Sequence, residues 1–194
     1  QPPTCAAVGA YVAECVAGTG TVKLDGSGSS DPEGLNLGYS WSSDCPQAAI
    51  TGGTATSTLT VSGFVAPMGC NADLQVTDVA GDSQSCAAGV QVVDTIPPVL
   101  TLPVTRSTSC VDPYGIPSSD PLVQQWLAGV SATDTCAGVH VVSDMPAIIP
   151  ISCAPKAGTT IHFTATDDAG NVTTGSSIFQ VFDLAEPVIN PNIR

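Results

Sequence analysis

Nine residues carry side-chain oxygen donors in turn-forming surroundings: Asp25, Asp31, Glu33, Asp78, Asp94, Asp134, Asp167, Asp168 and Asn171. Carboxylate and amide oxygens are hard donors, and a calcium ion takes roughly six to eight of them. Brought together without a cation, carboxylates repel one another and lower stability. The chain has 17 acidic and 4 basic residues, a formal charge of −13, so its own cations are too few to neutralise such clusters. Calcium is therefore the expected cofactor. The same balance excludes nucleic acid as a partner, because phosphate neutralisation needs Lys and Arg.

Other chemistries find little support. His140 and His162 are the only histidines, each in an alternating strand-like stretch and neither in an H-E-x-x-H pattern. Ser27, Ser29 and Ser30 lack the G-x-S-x-G strand-turn-helix context of a nucleophile. The Gly26-Ser27-Gly28 stretch leads into an acidic loop, hostile to phosphate. A glycosidase-like carboxylate pair would need aromatics to line a sugar subsite, and the chain has only two Trp, three Tyr and four Phe. The chain is not expected to be an enzyme.

The elements that must position the carboxylates are strands. Val, Thr, Ser and Gly abound and helix formers are scarce, which predicts an all-β chain. Charged residues make up 11%, against roughly 25% in an ordinary soluble domain. The 43% of hydrophobic residues are enough for a core. No apolar run approaches the ~18 residues of a membrane helix, so no transmembrane segment is expected. No charged-then-apolar leader is visible either, so an export signal is expected to have been removed. A length of 194 residues suits two domains, each small enough to need staples.

Cysteines supply them. Cys5, Cys15, Cys45, Cys70, Cys86, Cys110, Cys136 and Cys153 include no C-x-x-C pair, which removes zinc-ribbon, thioredoxin-like and c-type haem chemistry. An even number of widely spaced cysteines predicts disulfides, hence an oxidising, extracellular setting.

A long-range self-match organises the chain. Residues 76–100, VTDVAGDSQSCAAGVQVVDTIPPVL, superpose without a gap on residues 165–189, ATDDAGNVTTGSSIFQVFDLAEPVI. Asp78 falls on Asp167, Gly81 on Gly170, Gln91 on Gln180, Asp94 on Asp183 and Pro98 on Pro187. Each copy holds a period-two strand (Leu74 and Val76; Ile161, Phe163 and Ala165), an Ala-Gly-Asp or Ala-Gly-Asn turn, and a returning strand. A proline-stiffened connection follows. Two copies of one β unit are therefore predicted, as tandem immunoglobulin-like β-sandwiches.

Residues 21–34, TVKLDGSGSSDPEG, followed by LGYSWSSD, STLTV and the hairpin, resemble the polycystic-kidney-disease-type (PKD) domain over about residues 10–94. The resemblance implies that Trp41 is the buried aromatic between the sheets. The second unit resembles a hyalin-repeat (HYR) or bacterial Ig-like module. The residues that carry this are Asp94-Thr-Ile-Pro-Pro, ATDTC at 132–136 and GTTIHFTATDDAGN at 158–171. An insertion, SSDPLVQQWLAGV at 118–130, departs from that pattern. One short helix is expected near 120–128, capped by Ser119 or Asp120, with Leu122, Trp126 and Leu127 on one face. The expected division is 1–94 as the PKD-like sandwich, 95–186 as the HYR/Ig-like sandwich, and 187–194 as an orphan strand or linker. Both resemblances imply non-catalytic extracellular modules.

In such a sandwich the second and sixth strands run toward the pole where the chain enters. Asp25, Asp31, Glu33 and Asp78 are expected to meet at one pole of the first unit. Asp134, Asp167, Asp168 and Asn171 are expected to meet in the second, with Asp94 arriving from the linker and a calcium there stiffening the joint. The competing expectation is that these residues cap their own turns and face water. Asn171-Val-Thr is also a glycosylation triplet, although its place in a turn already accounts for the asparagine.

Strand positions suggest the pairs Cys45–Cys70, Cys15–Cys86 and Cys136–Cys153. Cys5 and Cys110 are left to bridge the units or to reach a neighbouring copy; another pairing within units, with two free thiols, stays open. The repeat also continues into the tail. Pro187, Val188 and Ile189 match Pro98, Val99 and Leu100, the opening of unit two. They are the expected polymer contact, a strand offered to the next molecule. The partners expected are the chain itself, as a homopolymer, or neighbouring modules of a longer chain. The expected function is structural or adhesive. The alternative is an accessory module that binds polysaccharide or protein for a secreted hydrolase, with Trp126, Tyr11, Tyr39 and Tyr114 as its available aromatics.

Overall fold

The computed structural model describes residues 1–62, 67–109, 114–136, 138–151 and 158–182. Two compact units emerge: Gln1–Ile96 with the short segments Asp134–Gly138 and Asp167–Asn171, and a second made of Pro97–Thr133, Val139–Thr166 and Val172–Arg194.

Among the described residues, unit 1 has seven strands: β1 (Tyr11–Glu14), β2 (Thr19–Asp25), β3 (Leu37–Ser43), β4 (Ala49–Gly52), β5 (Thr56–Ser62), β6 (Met68–Asp78) and β7 (Ser83–Val93). They form two sheets, β1-β7-β6-β3 and β2-β5-β4, the layering of an immunoglobulin-like sandwich. β1 runs parallel to β7, with Tyr11 opposite Val90 and Glu14 opposite Val93. The period-two pattern turns Val22, Leu24, Leu59 and Val61 of one sheet inward, against Ala72, Val90 and Val92 of the other. Each buried Val or Leu contributes about 1.5–3 kcal/mol. The sheets meet so closely at Gly20 that an added Cβ would lie 2.6 Å from Val92 Cγ1. Trp41 is half-buried and packs against this cluster.

Unit 2 contains β8 (Val99–Thr101), β9 (Arg106–Ser109), β10 (Ile116–Pro117), α1 (Pro121–Leu127), β11 (Ser131–Thr133), β12 (Val139–Ser143), β13 (Ile148–Ile149), β14 (Thr159–Asp167, whose last residue belongs to unit 1) and β15 (Val172–Phe182). Its main sheet has the order β12-β14-β15-β9, again with an early strand, β9, parallel to the last. β8 pairs with β11 and β10 with β13 as short antiparallel ribbons. Among the described residues the fold is all-β with one short helix, as composition and the 118–130 insertion predict.

The insertion supplies that helix. Asp120 caps it by accepting from the Leu122 amide at 2.8 Å, and Pro121 fills the first turn. The face turned inward is Val123 and Trp126, whereas Leu122 is exposed and Leu127 half-buried. Of the expected face, Trp126 and Leu127 pack on the core, and Val123 takes the place of Leu122. With Asp120 as cap, residues three apart, 123 and 126, sit over the core, and Leu122 lies about 100° away around the helix. Trp126 stands edge-on to Phe179 at 5.3 Å and tilted to Phe163 at 6.0 Å, and its indole N–H donates to the Val104 carbonyl at 2.7 Å.

The repeated hairpin is also repeated in three dimensions. Gly81 and Gly170 both take positive φ, 97° and 93°. Asp78 Oδ1 accepts from the Asp82 amide at 2.9 Å, and Asp167 Oδ1 accepts from the Asn171 amide at 2.8 Å.

Candidate metal centre

The loop ends of three strands deliver Asp94, Asp134 and Asp167 to one place, all within unit 1. One carboxylate oxygen of each lies within 4.8 Å of the others. Two oxygens bound to one calcium at roughly 2.3–2.6 Å can be that far apart, so the spacing fits a shared ion. Asp94 and Asp167 are only 6% and 5% exposed. Asp94 Oδ1 accepts from the Ile96 amide at 3.3 Å, while its Oδ2 is buried with no hydrogen-bond partner. Leaving a buried carboxylate oxygen unpaired costs free energy that a cation would recover. Burial pushes the Asp94 carboxyl above its usual range, and the carboxylates of Asp134, Asp167 and Glu14 add to this against the pull of the Ile96 amide.

Each carboxylate is steered by its own loop. Asp134 Oδ1 accepts from the Cys136 amide at 2.8 Å. Asp167 Oδ2 accepts from Asn171 Nδ2 at 2.9 Å, and the same amide group donates to the Asp94 carbonyl at 3.0 Å. Asn171 was expected as a ligand, but it turns its N–H groups, not its oxygen, toward the cluster. It positions Asp167. With that amide engaged, and the Thr173 hydroxyl donating to the Pro98 carbonyl at 2.6 Å, the triplet is used as structure. Asp168 is held outside the cluster, its Oδ2 accepting from the Gly138 amide at 3.1 Å.

The other expected pole does not assemble. Among the described residues, Asp25, Asp31, Glu33 and Asp78 form no group of three within 4.8 Å. Asp25 Oδ1 accepts from the Ser27 amide at 2.8 Å, and Asp31 Oδ1 from the amides of Glu33 and Leu35 at 2.8 and 3.1 Å. These are Asx-type turns, in which a short loop saturates the nearest carboxylate oxygen. The Ser27 hydrogen bonds, with Lys23 nearby, hold the Asp25 carboxyl below its usual range. Glu33 is exposed.

Glu14 was not foreseen. It accepts from the Thr95 amide and hydroxyl at 2.7 and 2.9 Å, and so clamps the residue that follows Asp94. No local motif marks it, since only the parallel register of β1 on β7 brings it there.

Among the described residues, three disulfides join Cys5 to Cys86, Cys15 to Cys136 and Cys45 to Cys70, with Cα–Cα distances of 5.7, 5.8 and 5.1 Å. Cys15 does not pair with Cys86, nor Cys136 with Cys153. In the parallel β1–β7 register Cys15 follows Glu14, the partner of Val93, so Cys86 lies roughly 25 Å back along β7. Cys110 and Cys153 lie outside the described residues, as do Pro187, Val188 and Ile189. Disulfides fit an oxidising compartment. Among the described residues no helix is long and apolar enough to cross a membrane.

The histidines build no catalytic group among the described residues. His162 is exposed on β14, its Nδ1 2.7 Å from Asp144 Oδ2, and this contact holds the Asp144 carboxyl below its usual range. His140 is exposed on β12.

No family model matches the chain, and no curated protein matches it. Solved structures with similar folds include Drosophila N-cadherin EC1-4, 14% identical with a TM-score of 0.46, covering 95% of this chain and 50% of that one. The titin domains z1z2 are 15% identical with a TM-score of 0.38, covering 93% and 96%. A nucleoside hydrolase-related protein from Saccharophagus degradans is 22% identical with a TM-score of 0.39, covering 49% of this chain and 26% of its own. This chain thus spans about half of the N-cadherin fragment and a quarter of the hydrolase-related protein.

Proposed function

We propose that this chain is a non-catalytic extracellular structural or adhesive protein whose Asp94–Asp134–Asp167 cluster holds a calcium ion. The observation that carries the cation is Asp94 Oδ2, buried and without a partner beside two further carboxylates. Bound there, calcium would tie the segment after β7 to the loops 134–138 and 167–171, with Asn171 and Glu14 holding ligands and neighbours in place. The PKD-like and hyalin-like resemblance of the sequence agrees with a mechanical task. So does the dense stapling. A finer part of the proposal is self-assembly into a homopolymer through the Pro187-Val188-Ile189 strand; its support is the sequence repeat alone.

An accessory substrate-binding role has less support. Trp126 is buried, Trp41, Tyr11 and Tyr39 are half-buried, and among the described Trp and Tyr residues Tyr114 is the exposed one. A flat sugar-binding strip needs several. Calcium titration of chelator-stripped protein by calorimetry tests the cation. Saturable heat is expected, and its absence overturns the assignment.

A further inference from the structure

We propose that the Cys15–Cys136 disulfide is a redox lock on the cation site, setting its calcium affinity through the position of Asp134. This rests on the calcium site proposed above. Cys136 lies two residues after Asp134, and its amide is the one that the Asp134 carboxylate accepts from. Cys15 directly follows Glu14, whose carboxylate grips Thr95 next to Asp94. The disulfide therefore joins the stretch that carries one ligand to the strand that steers another. Besides it, hydrogen bonds hold the described residues of loop 134–138. Gly18 N–H donates to the Thr135 carbonyl at 2.9 Å, and Gly138 and Asp168 exchange two bonds of 3.1 Å.

Three carboxylates this close repel one another when no cation is bound. The covalent link keeps Asp134 from relaxing outward, so the oxidised protein presents a preformed site. Opening the bond takes two electrons and two protons. A dithiol supplies both, leaves as its own disulfide, and converts Cys15 and Cys136 to thiols. Asp134 is then free to move away, and assembling the site costs ordering that the oxidised form has already undergone. Affinity falls about tenfold, the usual size for losing a group that orients a metal ligand.

The coupling is reciprocal, so calcium must favour the intact bond over the dithiol form by the same factor. Cys15 is fully buried and Cys136 half-buried, so opening of the loop exposes the bond further to a reductant. Calcium on Asp134 opposes that opening.

The test uses the full chain. Calcium affinity is measured by calorimetry for the wild type, for Cys15→Ala/Cys136→Ala, and for Cys5→Ala/Cys86→Ala, which removes a disulfide remote from Asp94. About tenfold weaker binding in the first variant, with the second near wild type, is expected; equal affinity in all three overturns the lock. In parallel, wild-type protein is treated with dithiothreitol with and without calcium, and each cysteine is followed by differential alkylation and mass spectrometry. Calcium should slow reduction of Cys15–Cys136 and leave Cys5–Cys86 unchanged. Uniform protection, or none, overturns the proposal even if a variant fails to fold. A wild type that takes up no calcium removes the cation site itself, a failure distinct from equal affinities.

Discussion

At the scale of single residues, Asp94 decides most. Its carboxyl is raised from an ordinary value of 3.8, by burial first and by neighbouring carboxylates second. A carboxyl that holds its proton more tightly in the fold than in the unfolded chain supports the fold below its ordinary pKa. It withdraws that support as pH rises through the raised value. In chelator, therefore, wild type should lose stability across that window relative to Asp94→Asn, which cannot ionise. Urea midpoints taken from about pH 3 to 7 will read it; a pH-independent difference would contradict the assigned cause. With calcium saturating, the order should reverse, and the variant should bind about tenfold or more weakly, because affinity follows ligand charge. The three clustered aspartates were legible as strand-end residues. Asp25 and Asp31 were equally conspicuous, but loop amides within four residues engage one oxygen of each first, since a short loop costs less entropy to close than a long-range contact.

At the scale of elements, the helix of unit 2 packs Val123 and Trp126 into the core. Trp126→Ala takes away the indole packed on Phe163 and Phe179 together with its bond to Val104, and should destabilise unit 2 by about 3–5 kcal/mol. Asp120→Ala removes only the cap and should cost about 1 kcal/mol. Thermal or urea unfolding of both variants will rank them, and comparable losses would mean that the helix is held by its cap and not by packing. Cap and proline were readable in the sequence because they act within one turn. The expected face included Trp126 and Leu127 but took Leu122 where Val123 is buried, because the packing of the core beneath, which no local pattern encodes, chooses among adjacent apolar side chains.

For the whole molecule, calcium that binds only the folded chain stabilises it by mass action. At a hundredfold excess over Kd this amounts to about 2.7 kcal/mol. Chelation should lower the melting temperature of unit 1 on the order of 10 °C and speed proteolysis of loop 134–138. Calorimetric scans with and without chelator will show it, and an unchanged scan would leave calcium without a structural role. Retention on insoluble chitin, cellulose or collagen is expected to be absent.

Periodicity, the repeated hairpin, the scarcity of basic residues and the even cysteine count determined the all-β class, the two sandwiches and the acidic, disulfide-stapled character, because each acts through neighbours in the chain or through composition. Tertiary structure alone decided which carboxylates converge, that Glu14 stands behind them, and that Cys15 takes Cys136 as its partner. Those outcomes depend on strand register and on which loops of a distant stretch fold onto the first sandwich. A shift of one residue along a strand turns its side chains to the other face, and nothing in the local sequence sets that shift.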